Sequence, residues 1–268
     1  ILFKLNSMKD GMITSKNNDI VKYISALAEK HVREQSGCFF LEGWRAVSEA
    51  LAAKNVKNLI LSQTFAALKE SVRVKNTGIP ITILSDALFQ KISGTKTPQG
   101  IAAVCKIIKH DLHKILQEEN RILLLEDVRD PGNMGTIIRT AAAAGFNGII
   151  ASDGCVDAYN PKVVRSTAGC LFKTKIIQCK GDILEIGEEA KHGGFRIYAA
   201  HPRGGQDLFQ VHFTDKIGIA LGNEANGLSN RMLKLCDQLI TIHMENKVES
   251  LNASVAAALM MYETRREK

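Results

Sequence analysis

No apolar run in this chain of 268 residues approaches the roughly 18 that a membrane-spanning helix requires, and the apolar start is too weak for a signal peptide. Neither a membrane nor export is indicated. The six cysteines, Cys38, Cys105, Cys155, Cys170, Cys179 and Cys236, form no CxxC pair, so buried free thiols in a reducing cytoplasm are expected and a structural zinc is not. No metal is expected at all. The sequence has no GKS or GKT phosphate loop, and Gly132 and Gly135 in DPGNMG fall short of the GxGxxG fingerprint. Nucleoside triphosphate and nicotinamide chemistry are thereby disfavoured. Aromatic residues are only 6% of the chain, and no RRM-type set of base-stacking aromatics appears.

Hydrophobic residues make up 45%, ample for a proper core, and the length suits two ordinary domains better than one. Charge divides unevenly between them. Residues 1–110 hold 16 Lys and Arg against 8 Asp and Glu, whereas residues 111–268 hold 19 against 20. A basic first part joined to a nearly neutral second part suits a nucleic-acid-holding domain fused to a chemical one, because phosphate neutralisation supplies most sequence-independent affinity. A merely solvated basic surface would look the same.

Taken in order, Ile1 to Gly11 (1–11) has no periodicity and reads as a leader or extension outside the fold. Asn17 to Gln35 places Ile20, Val21, Ile24, Leu27 and Ala28 near one helical face, which predicts a single amphipathic, partly basic helix. Strand-sized runs follow at Cys38 to Leu41, Val56 to Leu61, Ile79 to Leu84 and Gly100 to Lys106, with a helix from Trp44 to about Lys54. Residues 12–110 are thus a small α/β domain. Ile107 to Asn120 is polar and charged, and 111–120 reads as the linker to a second domain, 121–268.

That domain opens with the buried strand Arg121 to Leu125 and a turn enforced by Pro131 and Gly132. Asn133 is placed to cap a helix from Met134 to Gly145. Further strands fit Gly148 to Ala151, Phe172 to Ile177 and Arg196 to Ala200, with helices over Pro161 to Thr167 and Asp182 to His192. This alternation implies a mostly parallel sheet covered on both faces. Two more apolar runs, Ile217 to Leu221 and Gln238 to Ile242, each feed a polar loop, and two such loops at neighbouring strand ends would form one pocket. In the first, GNEANG, the glycines lack bulk at both ends, so backbone can approach a ligand. The second ends in SLNAS, where Ser250 could equally cap the last helix.

NMGTIIR from Asn133, GNEANGLS from Gly222 and SLNAS from Ser250 resemble, in order and spacing, the three motifs of the SpoU (TrmH-type) branch of the SPOUT RNA methyltransferases. FFLEGWRAVSEAL and SGTKTPQGIAAV resemble the L30e-like domain that precedes the catalytic domain in many of these enzymes. The resemblance implies an α/β chain with a small L30e-like substrate-binding domain and a parallel-sheet SPOUT domain knotted as a trefoil at the cofactor site. It implies methyl transfer from S-adenosylmethionine to a ribose 2′-hydroxyl of rRNA, 23S rRNA first, with tRNA as the second choice. A homodimer is implied too, with the first motif of each subunit facing the other's cofactor.

Residue by residue, it implies catalytic places for Asn133, Arg139, Glu224, Ser250 and Asn252. It implies cofactor contacts at Leu221, Gly222, Asn223, Gly227, Ile242, Met244 and Leu251. The family's arginine at position 139 has been assigned as general base. A guanidinium keeps its proton in water to above about pH 12, so binding the neighbouring phosphate and stabilising a developing alkoxide is physically easier. Lys16, Lys22, Arg45, Lys91, Lys96 and Arg165 are the cations expected on RNA, with a dimer contact the other possibility for Arg165. The chain departs from the family at Ile242-His243-Met244, where a proline is usual in the middle, and at Asn246, which stands for glycine at a backbone position of positive φ. An RNA-binding module with a degenerate pocket, or a small-molecule enzyme, are the other classes; the complete motif set opposes the first and the uneven charge the second.

Overall fold

The structure, a computed structural model, describes residues 11–246 and 248–266, so the leader expected over Ile1 to Gly11 lies outside the described residues except for Gly11. No helix among the described residues is long and apolar enough to cross a membrane. The chain forms two compact units: residues 1–108 with 159–172, and residues 109–158 with 173–268.

The first unit runs α1 (Asp19–Ala26), α2 (Lys30–Ser36), β1 (Cys38–Glu42), α3 (Trp44–Ala52), β2 (Val56–Ser62), α4 (Gln63–Ala67), α5 (Ser71–Lys75), β3 (Ile81–Leu84), α6 (Asp86–Ile92) and β4 (Ile101–Lys106). Its sheet has the order β1-β4-β2-β3, with β2 and β3 parallel and the other pairs antiparallel. The single helix expected over Asn17 to Gln35 is broken in two. Arg33, only 2% exposed, donates from Nη1 to the carbonyls of Leu27 (2.9 Å) and Ala28 (2.7 Å) at the break. Its guanidinium satisfies carbonyls that helix termination leaves open, so a residue with a polar-face pattern is buried instead.

The second unit begins with α7 (Leu112–Glu118), which replaces most of the expected linker 111–120: Ile115 and Leu116 are buried in the unit's core. Then come β5 (Arg121–Leu125), α8 (Pro131–Ala144) and β6 (Gly148–Ala151). The next helix, α9 (Pro161–Ser166), belongs to the first unit and packs on β1, so the boundary expected between residues 107 and 120 is not the only crossing. The strand expected over Phe172 to Ile177 is a 3-10 turn, Cys170–Lys173, followed by β7 (Lys175–Gln178). The chain continues through α10 (Ile183–His192), β8 (Arg196–Ala200), β9 (Gln206–Asp207), β10 (Ile217–Leu221), α11 (Asn230–Leu235), β11 (Gln238–Thr241) and α12 (Ala253–Glu263).

Its sheet has the order β7-β6-β5-β10-β8-β11-β9, and every pairing is parallel. Parallel strands are covered on both faces, which is why RILLL, GIIA and IGIAL are almost unbroken apolar runs. On one face Leu124, Ile150, Ile197 and Ala220 pack against Ile115, Ile183, Met232 and Leu235 from helices α7, α10 and α11. Helix α12 packs on α8 and also meets β8 and β10. All six cysteines are free; Cys170 and Cys236 are partly exposed and the other four buried.

Candidate cofactor and catalytic site

The expected neighbours β10 and β11 do not pair; β8 lies between them. The loops leaving all three strand ends therefore converge. A pocket of about 270 Å³ is lined by Leu221, Gly222, Asn223, Gly227, Ile242, Met244 and Leu251, every one of the positions carried over for the cofactor. Glu224 and Ser250 line it as well. Ala225 and Asn226 of the expected first loop join them, and two contributions had no signal in the sequence: Ala200, His201 and Pro202 at the end of β8, and Ala253, Ala256 and Met260 from α12. Only a known strand order could have found the β8 loop, since nothing local marks it.

Gly222 is required for a different reason from close ligand approach. A Cβ there would lie 2.2 Å from the carbonyl carbon of Gly227 and 2.3 Å from the nitrogen of Leu228, because the loop closes on itself. Asn223 N donates to Gly227 O (3.0 Å) and Gly227 N to Asn223 O (2.9 Å), making a neck, and Gly227 takes φ +67°. Asn223 Oδ1 accepts from the amides of Ala225 and Asn226 (3.0 and 3.1 Å), while its Nδ2 donates to Asp127 O (2.9 Å). Beyond the neck, Glu126 accepts from both Ser229 N (2.7 Å) and Ser229 Oγ (2.8 Å), and Ser229 caps α11. The loop's shape is thus held by its own hydrogen bonds. In the other loop Asn246 has φ +56°, as expected of a glycine substitute, and His243 is an exposed loop residue 3.7 Å from Asp207.

Asn133, Glu224 and Asn252 meet in one chain of hydrogen bonds. Asn133 Nδ2 donates to Glu224 Oε1 (3.0 Å), and Asn252 Nδ2 donates to Asn133 Oδ1 (2.9 Å). Glu224 also accepts from the amides of Arg129 (3.4 Å) and Asp130 (3.2 Å). Three segments distant in sequence are locked together by these side chains. Neither expected cap is correct: Asp130 caps α8, accepting from Asn133 N (2.7 Å) with Pro131 in the first turn, and Asn252 rather than Ser250 caps α12. Asn133 is 8% exposed and its amide is used at both ends by the protein.

Burial pushes the Glu224 carboxyl up, but the Asn133 amide and the backbone donors outweigh it and hold the group below the ordinary carboxylate value. A carboxyl lowered in the folded state stabilises at neutral pH, and that contribution is lost as pH falls through its folded-state value, below the ordinary carboxylate range. Thermal melting followed from about pH 6 to pH 3 should therefore show a steeper acid slope for the wild type than for Glu224→Gln. Parallel melting curves would refute this role for the carboxylate.

Arg139 is exposed on α8, outside the pocket wall, and its guanidinium makes no ion pair or hydrogen bond with a described residue. Lys16, Arg45, Lys91 and Lys96 are exposed on the first unit, and Lys22 forms only a long pair with Asp19 (4.0 Å). Arg165, also in the first unit, lies 3.7 Å from the carboxylate of Glu42.

Residues 120–262 match the model of the SpoU rRNA Methylase family. The chain belongs to the SpoU rRNA methylase family. Residues 18–103 match a second model, the MRM3-like substrate binding domain. Among curated relatives, the 23S rRNA (guanosine(2553)-2′-O)-methyltransferase of Bacillus subtilis is 32% identical over 94% of this chain and 98% of its own. The 23S rRNA (uridine(2479)-2′-O)-methyltransferase of Streptomyces viridochromogenes is 31% identical over 96% of this chain and 92% of its own. The solved structure of an AdoMet-bound rRNA methyltransferase from Sinorhizobium meliloti superposes with a TM-score of 0.84 at 28% identity, covering 96% of this chain and 98% of that one. As a SpoU methylase, this chain has the α/β, parallel-sheet SPOUT fold behind an N-terminal substrate-binding domain.

Proposed function

We propose that this SpoU methylase transfers the methyl group of S-adenosylmethionine to a ribose 2′-hydroxyl of 23S rRNA in the cytoplasm. The observation that carries the reading is the convergence of all seven expected cofactor positions on one pocket beside the Asn133–Glu224–Asn252 chain. The pocket suits the cofactor: backbone of two loops and the apolar side chains of Leu221, Ile242, Met244 and Leu251 offer an adenosine packing and amide contacts without any charged clamp. When bound, the cofactor supplies an activated methyl group. A ribose hydroxyl is a poor nucleophile, so the protein must align it and stabilise charge on its oxygen. Glu224, held by Asn133, fixes the loop edge where the ribose would lie, and Asn252 ties that edge to the start of α12. Ser250, on the pocket wall, is placed to meet the substrate, and Arg139 answers the developing negative charge and the adjoining phosphate.

Arg139 stands outside its own pocket, and the surface of α12 suggests how it reaches one. That helix is apolar nearly all round, yet Val255, Leu259 and Tyr262 are 47%, 38% and 52% exposed along one side, with Phe209 at 54%. A helix of this kind calls for cover on both sides, and a second copy supplies it. The reading is therefore a homodimer in which Arg139 of one subunit serves the other's pocket. Sedimentation should give a dimer, and Leu259→Glu a monomer with methyl transfer lowered by at least about tenfold. The trefoil expected from the resemblance belongs to the same reading: α12 follows β11 yet packs back on α8, beyond β8 and β10.

The deciding experiment offers labelled S-adenosylmethionine with unmodified 23S rRNA and, separately, tRNA, then digests the product to nucleosides. A 2′-O-methylnucleoside from 23S rRNA is expected. Label on a base, or on no RNA at all, would overturn the assignment.

A further inference from the structure

A second cavity, of about 230 Å³, lies wholly within the first unit. Ile24, Phe40 and Val164 give it apolar walls, and Glu42, Lys91 and Arg165 its polar side. Glu42 organises that side. Its side chain is 8% exposed, and its carboxylate accepts from Ser93 Oγ (2.5 Å) and Gly94 N (3.2 Å) and stands 3.7 Å from Arg165 Nη1. Gly94 leaves the space that the guanidinium fills: a Cβ there would lie 1.6 Å from Nη1. Arg165 is thereby fixed in place while about a third of its side chain, 32%, remains open. The arginine balances the buried carboxylate, so exposed Lys91, which makes no ion pair with a described residue, leaves the cavity rim with a surplus positive charge.

An apolar slot with one aromatic wall, a fixed planar fork of donors and a free ammonium matches the parts of a nucleotide. The base packs against Phe40 and the aliphatic walls, the guanidinium reaches a base carbonyl or a phosphate oxygen, and Lys91 meets phosphate. A base stacked inside an A-form duplex cannot offer its face to such a slot, whereas one in a loop or bulge can. We propose that this cavity holds one unpaired nucleotide of the RNA substrate, distinct from the nucleotide that is methylated; this rests on the reading of the chain as an RNA methyltransferase. Arg165 and Lys91 would then act together in this subsite rather than as scattered surface cations.

The test measures binding of the full chain to a labelled mixed-sequence RNA of about 20 nucleotides, single-stranded and paired into a duplex, by fluorescence anisotropy. The wild type is expected to prefer the single strand by at least about fivefold. Ser25 is exposed on α1 and lines the cavity, so Ser25→Leu fills the mouth without touching the core. That variant should bind the single strand about tenfold more weakly, the duplex within about twofold of wild type, and S-adenosylmethionine unchanged. Lys91→Ala, at an exposed helix end, should lose about threefold on the single strand and keeps the test open if Ser25→Leu does not fold. Wild-type affinity in both variants, or no preference for the single strand in the wild type, overturns the subsite alone. A wild type that binds neither RNA overturns it together with the methyltransferase reading.

Discussion

Arg139→Ala is expected to lower methyl transfer by about 10²- to 10³-fold while leaving S-adenosylmethionine affinity within about twofold of wild type. Two observations make the effect separable. The side chain is exposed and has no partner among the described residues, so its removal leaves no buried group unpaired and no packing defect. It also lies outside the wall of the pocket in this chain, so cofactor contacts within that pocket are untouched. On the proposed role, what disappears is a positive charge offered to oxygen as it turns negative, and interactions of that kind appear in kcat rather than in ground-state binding. Single-turnover transfer beside calorimetric titration of the cofactor decides the matter. Full activity, or cofactor affinity lost in step with activity, would refute the assignment. Arg139→Lys adds a second reading: a charge-stabilising role should retain a measurable fraction of the rate, because the ammonium keeps the charge though not the planar fork.

Gly222→Ala is expected to weaken cofactor binding by about 100-fold or more, while costing the fold only about 1–3 kcal/mol. The added methyl meets backbone, not a flexible side chain: 2.2 Å to the Gly227 carbonyl carbon, 2.3 Å to its oxygen and to the Leu228 nitrogen. The strands cannot yield, since β10 is buried and paired on both sides. The neck opens instead, and with it go the two reciprocal hydrogen bonds between Asn223 and Gly227 that shape the pocket edge. Gly227→Ala is the informative control. Nothing lies within 4 Å of a Cβ at that position, but φ is +67°, so only the intrinsic cost of the left-handed conformation, about 1 kcal/mol, applies. A loss of roughly fivefold is expected there. Equal effects at the two glycines would refute the crossing of backbone as the reason for Gly222.

The central strands of the catalytic half were legible because β5, β6 and β10 are parallel strands covered on both faces, and RILLL, GIIA and IGIAL admit little else, whereas the short edge strand β9 carries no apolar run and was not legible. The pocket residues were legible because motifs mark loops, and loops at strand ends converge once the sheet forms. The caps were misplaced by a few residues although the signal was present: Asp130 directly before Pro131 is the preferred cap-then-proline order, and it outranks Asn133. Other features had no local signal. Nothing in PKVVRS says that its helix packs on β1 rather than on the sheet whose strands flank it in sequence. Arg33 carries the pattern of a solvent-facing residue, and only the break between α1 and α2 creates the carbonyls that bury it. The contribution of Ala200 to Pro202 depends on β8 lying between β10 and β11, an order that no spacing encodes.

The hydrogen-bonded trio Asn133, Glu224 and Asn252 also sets a schedule for synthesis. Its bonds span 91 and 119 residues of sequence, so the cost of closing those loops is met late and all at once. Domains fold progressively as a chain emerges, and the first unit's strands β1 to β4 are all encoded before residue 107. The pocket, by contrast, stays unfinished until Asn252 and the start of α12 have left the ribosomal tunnel. The first unit is complete once residue 172 has emerged, whereas the pocket still lacks Asn252 and the start of α12, so on the proposed reading a nascent chain is able to meet RNA before it is able to hold the methyl donor.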